Sequence, residues 1–135
     1  MPHQPALNDT PCDVLLTYPA ERITVFSHMI PLGLASIAAV LEKNNYSVKI
    51  VDFTTYRGDF RRNLLTWRPM AVGIGGTTST RKNSFLTARL TKETLPDTAV
   101  VYGGVHATVT AHDTLRNILD IDYIRSVRFL GRIVR

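Results

Sequence analysis

Cysteine is almost missing from this chain of 135 residues, Cys12 being the only one. One thiol forms no internal disulfide, and it cannot by itself supply a cysteine-based zinc or iron–sulfur site. A reducing, cytoplasmic setting is the expectation. Long apolar runs are missing too: none approaches the roughly 18 residues of a membrane span. The opening stretch MPHQPALNDTP has no basic-then-apolar signal pattern, so residues 1–12 read as a flexible leader. Acids are outnumbered, 11 against 16 Lys and Arg, for a net charge of +5. That excess is concentrated at one end, where Arg125, Arg128, Arg132 and Arg135 face the single acid Asp122. Residues 125–135 therefore read as a basic tail and not as a charged folded face, which argues against a nucleic-acid partner.

What remains is an ordinary globular composition, 44% hydrophobic and 20% charged, long enough for one domain with a real core. Val14 to Tyr18 is a short apolar run closed by Pro19, as a buried parallel strand would be. Pro31 then opens a helix with Leu34, Ile37, Ala38 and Leu41 on one face, ended by Asn44 and Asn45. Val48 to Asp52 reads as a second strand. Arg57 to Trp67 reads as a helix with Phe60, Leu64 and Leu65 inward, stopped before Pro69. Ala71 to Gly75 is a third strand, followed by a helix over Arg81–Thr94. Ala99 to Tyr102 is a fourth. Thr110 to Asn117 begins like a helix, with Thr110 as N-cap and Asp113 three residues on. Ile121 to Ile124 is the fifth strand. Strict alternation without hairpin signals predicts an α/β fold, a doubly wound five-stranded parallel sheet of flavodoxin-like, Rossmann-like order 2-1-3-4-5.

In such folds ligands sit beyond the carboxyl ends of the strands. After strand three comes Gly75-Gly76-Thr77-Thr78-Ser79-Thr80, where bare backbone and hydroxyls at a helix start suit a phosphate or ribose; a tight turn with an N-cap explains the same residues. After strand four comes Gly103-Gly104-Val105-His106-Ala107-Thr108. Two glycines make a floor for a broad or planar group, with His106 at its rim. The long loop after strand one carries Ser27, His28 and Met29. Asp52 stands where dinucleotide folds place a ribose-binding acid, yet no Gly-x-Gly-x-x-Gly follows strand one, and no phosphate-cradling Walker sequence occurs. A phospho-acceptor domain would need an aspartate where strand three ends in glycine. Ser79, His106 and Asp113 lack the nucleophile-elbow context of a triad.

Six stretches together carry a resemblance: VLLTYPA (14–20), PLGLASIAAVLE (31–42), YSVKIVD (46–52), RPMAVGI (68–74), GGVHATV (103–109) and DIDYI (120–124). In this order and spacing the chain resembles the cobalamin-binding domain that precedes the barrel of cobalamin-dependent radical-SAM proteins. The resemblance implies a domain over residues 13–124 whose sheet edge holds base-off cobalamin, the nucleotide tail passing between strands. Carried over, Thr77, Thr78 and Ser79 meet the tail's phosphate and ribose, Gly103 and Gly104 make room for it, and His106 and Thr108 are polar contacts. The Asp-x-His-x-x-Gly frame of cobalt-ligating relatives is absent around His28, so no metal ligand is expected.

The family's glycine–glutamate segment and Cys-x-x-x-Cys-x-x-Cys barrel are also absent, so the chain is expected to hold no iron–sulfur cluster. The segment 125–135 reads as a truncated or frame-shifted end, leaving the edge of the fifth strand open, or as the end of a short protein that works with a partner. The implied function is a corrinoid-holding module, not catalytic alone, with a radical-SAM protein as partner. The alternatives are a module or enzyme for another nucleotide-like ligand, and a non-binding remnant that interacts through its basic end.

Overall fold

The computed structural model describes residues 8–20 and 31–126, together with the backbone of residues 133–134. Five parallel strands run in the order β2-β1-β3-β4-β5: β1 (Val14–Tyr18), β2 (Val48–Asp52), β3 (Ala71–Ile74), β4 (Ala99–Gly103) and β5 (Tyr123–Arg125). The expected order holds. A two-residue strand, β6 (Ile133–Val134), adds to the sheet antiparallel to β5, with Ile124 opposite Val134 and Arg125 opposite Ile133. The edge of β5 expected to lie open is thus paired over those positions, which shields its free amide and carbonyl groups.

Strand alternation divides the side chains between two faces. Leu15, Val51, Val72, Ile74, Val100, Tyr102 and Ile124 belong to the main core, with helices α2 (Phe60–Trp67) and α3 (Arg81–Thr94) supplying Phe60, Leu64, Trp67 and Ala88. On the opposite face α1 (Leu32–Lys43) lays Leu34 and Ala38 on Leu16. The expected faces of two helices shift slightly. Ile37 is 47% exposed, because α1 covers only the β1–β2 end of its face. In α2 the buried residue is Trp67 and not Leu65, which is 53% exposed. Trp67 follows Phe60 and Leu64 at the i, i+4, i+7 spacing, whereas Leu65 lies a third of a turn away. The Asp59 carboxylate caps α2 by accepting from Arg62 N–H at 3.2 Å.

Asn8 and Cys12, within the stretch read as leader, contact the domain. Cys12 is buried and donates its N–H to Trp67 O at 3.0 Å, while Trp67 Nε1 donates to Asn8 O at 3.1 Å. Burial raises the Cys12 thiol pKa above its ordinary value, so this sulfur packs as a neutral group.

The largest departure follows β4. The stretch expected to be a loop forms a short helix, α4 (Val105–Val109), directly after Gly104, and α5 (Ala111–Asn117) follows after Thr110. The expected cap does not form. Thr110 Oγ1 instead donates to His106 O at 2.8 Å, binding α4 to the start of α5.

Candidate functional site

The carboxyl ends of β3 and β4 lie side by side, Ile74 opposite Tyr102. Both Gly/hydroxyl segments therefore emerge at one place on the sheet edge. Thr80 shapes the first: its Oγ1 accepts from Thr77 N–H at 2.9 Å and donates to Thr77 O at 3.2 Å. This turns Thr77, Thr78 and Ser79 outward, Thr77 and Ser79 sharing a hydroxyl contact of 2.8 Å. Thr78 and Ser79 are exposed.

The second segment is bound to the first. Thr78 Oγ1 meets His106 Nδ1 at 3.1 Å. Gly104, at φ +104°, lies against Gly76 so closely that a Cβ built on it would stand 2.4 Å from Gly76 O. Only glycine takes this backbone conformation without strain. Of the two adjacent glycines, then, Gly104 brings the loops together, and Gly103 leaves space: a Cβ there meets nothing nearer than Arg125 O at 3.8 Å. Thr108 turns its hydroxyl back to Gly104 O at 2.9 Å, bracing α4. Burial, and then the nearby charge of Arg81, lower the His106 pKa from its usual value, so the neutral imidazole is favoured.

The sequence-predicted residues Thr77, Thr78, Ser79, Gly103, Gly104, His106 and Thr108 are thus gathered at one edge, Thr78 and His106 in direct contact. His28 and its neighbours lie outside the described residues. Asp52 uses one carboxylate oxygen within its own turn: Oδ1 accepts from Thr54 N–H at 2.9 Å and from Thr54 Oγ1 at 2.6 Å. Among the described residues no three His, Cys, Asp or Glu side chains come together as a metal site, and no helix is long and apolar enough to cross a membrane.

Two features escaped the sequence reading. Gly73, Gly75 and Gly103 line up on the α1 side of β3 and β4, since Val72, Ile74, Val100 and Tyr102 point the other way into the core. Period-2 counting from those core residues would have found this bare strip. Arg81 is the other: its Nη1 donates to Thr78 O at 2.8 Å beside His106. A basic residue opening a helix was the available signal, since that end favours acids.

Comparison with known proteins places this geometry in a family. The family model for the B12 binding domain matches residues 21–126. An uncharacterized methyltransferase of Pyrococcus horikoshii, PH0819, is 32% identical over 97 residues, covering 70% of this chain and 21% of its own. Among solved structures, the radical S-adenosylmethionine methyltransferase TsrM from Kitasatospora setae, with cobalamin and a 4Fe–4S cluster bound, superposes with a TM-score of 0.66. Its identity is 21%, over 82% of this chain and 23% of that one. The chain spans under a quarter of the length of either relative.

Proposed function

This chain belongs to the B12-binding domain family, and from that membership we propose that it holds base-off cobalamin over the carboxyl edge of its sheet and does no catalysis alone. One observation carries the reading: the glycine-led segments after β3 and β4 meet at that edge through Thr78 and His106.

The residues present fit such a guest. A Cβ on Gly103 would make only an ordinary contact with Arg125 O, at 3.8 Å, and one on Gly75 would do the same with Leu34 at 3.6 Å and Thr17 O at 3.8 Å. On that face α1 packs against β1 and β2 and Leu16 fills the space at Gly73, so Gly75 and Gly103 offer the flat wall to a nucleotide tail. Thr77, Thr78 and Ser79 supply hydroxyls for phosphate and ribose oxygens. His106 and Thr108 complete the polar rim. Gly104 serves by keeping the two loops in register. No protein ligand is assigned to cobalt.

Bound cobalamin would supply organometallic chemistry, carrying a methyl group or tuning reactivity. The chain's own residues bind the corrinoid, orient it and shield its tail. A radical-SAM protein as partner would provide the remaining machinery, as TsrM holds cobalamin and a 4Fe–4S cluster together.

The test is a visible-range titration with hydroxocobalamin and methylcobalamin, followed by desalting. Retained corrinoid with a base-off spectrum is the expected result. A folded chain that retains neither form would overturn the proposal and turn attention to other nucleotide-like ligands.

A further inference from the structure

The basic excess of the chain is not confined to its end. Residues 57–94 contain eight Lys and Arg against two acids, Asp59 and Glu93, a larger excess than that of residues 122–135. They build α2 and α3, the helices that cover the main core. A folded face therefore carries much of the charge, which corrects its assignment to the tail alone. Both helices repeat one exposed pattern. Arg61, Leu65 and Arg68 follow one another at i, i+4 and i+7, and so do Lys82, Leu86 and Arg89, so each row runs along one side of its helix. Leu65 is 53% and Leu86 61% exposed, and the four basic residues around them are exposed as well.

Helix stability does not account for these cations. Arg61, Arg62 and Lys82 lie in the first turns of α2 and α3, where the amide end of a helix favours acids, and neither first turn contains one. Arg68 holds the left-handed cap of α2 at φ +46°, a conformation that strains an ordinary side chain and that Gly or Asn fills more readily. The two rows also adjoin. Helix α2 packs on α3, and Glu93 ties them together, accepting from Arg61 Nη2 at 3.5 Å and from Arg89 Nε at 3.1 Å. One carboxylate shared by two guanidiniums leaves positive charge over. Among the described residues no ion pair engages Arg57, Arg62, Arg68 or Lys82.

We propose that the outer side of α2 and α3 is a docking surface for an acidic amphipathic helix of a protein partner. The cations attract and orient carboxylates, while Leu65 and Leu86 supply the apolar contact at the centre of each row. The leucines favour protein over nucleic acid as the occupant. A phosphate backbone gains nothing from them, and neither row places an aromatic side chain where a base would stack. A helix with Glu, Leu and Glu at i, i+4 and i+7 matches either row in spacing and charge. The chain's own net charge of +5 opposes a second copy in that place. The inference stands apart from the cobalamin reading.

A labelled synthetic helix with that Glu–Leu–Glu spacing is titrated against the full chain by fluorescence anisotropy. A scrambled peptide of the same composition and a short RNA duplex are titrated beside it. The ordered peptide is expected to bind about tenfold more tightly than the scrambled one, and to weaken as salt is raised. Leu65→Ser combined with Leu86→Ser should remove that advantage. Arg68→Asn combined with Lys82→Gln should weaken the ordered peptide about tenfold, the scale of two exposed charge contacts; asparagine keeps the left-handed cap, and circular dichroism checks the fold. Lys43→Gln, on α1, should change nothing. Equal affinity for the two peptides, or no binding of either by the wild type, would overturn the proposal without any variant being needed. A duplex bound more tightly than the ordered peptide would make this a nucleic-acid surface and overturn it. Self-association in sedimentation that Leu65→Ser and Leu86→Ser abolish would put a second copy there and overturn it too.

Discussion

Gly104 and Gly76 touch backbone to backbone, and this contact fixes how the two loops of the site meet. A Cβ on Gly104 would lie 2.4 Å from Gly76 O and 3.2 Å from Gly76 N, at a φ of +104°. The obstacle is main chain, which cannot swing aside as a side chain can. The neighbouring Gly103 has no such constraint. Two adjacent glycines therefore do different work.

Gly104→Ala is expected to destabilise the fold by about 2–4 kcal/mol, from left-handed strain plus the backbone clash. Urea denaturation with the single tryptophan, Trp67, as reporter measures it. Gly103→Ala should cost under about 1 kcal/mol, while Gly103→Leu should lower corrinoid retention in a chain that stays folded. Equal stability losses at the two positions would contradict this division.

The Thr78–His106 contact predicts a pH dependence. Burial and Arg81 hold the His106 pKa below its ordinary value, so the folded chain favours neutral imidazole more than the unfolded chain does. By linkage the stabilisation is fully present above about pH 6.5, the unfolded value, and is lost as pH falls through that value towards the lower folded one. The groups facing His106 are Thr78, through its hydroxyl, and Arg81, through its charge. His106→Asn should flatten the stability profile between about pH 5 and 7. Parallel profiles for wild type and variant would remove His106 as its source.

The order of the five parallel strands was legible because each strand is a short apolar run and the intervening segments carry helical spacing. Helix α4 was not. Val105, Thr108 and Val109 are β-branched residues of low helix propensity, and five residues are too few for a periodic pattern to show. They form a helix because Thr108 and Thr110 satisfy carbonyls of the preceding turn, those of Gly104 and His106, and because Ala107 is buried. The inner face of α3 was equally hidden. Ser84, Thr87 and Thr91 are buried there, each hydroxyl spent on a carbonyl four residues back. Hydropathy counts such residues as polar, whereas the structure uses them as small packing groups already satisfied within their own helix. At the site, the sequence marked both glycine loops correctly as neighbours. It could not distinguish a glycine that leaves room from one that another peptide presses against.

At the opposite end of the sheet, one carboxylate joins three elements. Asp122 Oδ2 lies 2.7 Å from Lys92 Nζ and accepts from Val100 N–H at 2.8 Å, and Lys92 also donates to Thr98 O at 2.9 Å. Both side chains are partly buried, at 20% and 34% exposure, so the pair is less screened than a surface ion pair. Removing the carboxylate leaves a strand amide and a half-buried ammonium in want of an acceptor. Asp122→Ala should therefore cost about 1–3 kcal/mol, and Asp122→Asn less, since the amide oxygen can still accept from Val100. The loss should persist in high salt, which distinguishes it from a screened surface effect. Corrinoid retention by the folded fraction should not change, because this network ties α3 to β4 and β5 at the amino end of the sheet, away from Thr78 and His106. An Asp122→Ala chain that keeps its stability but loses the corrinoid would show that the two ends of the sheet are coupled.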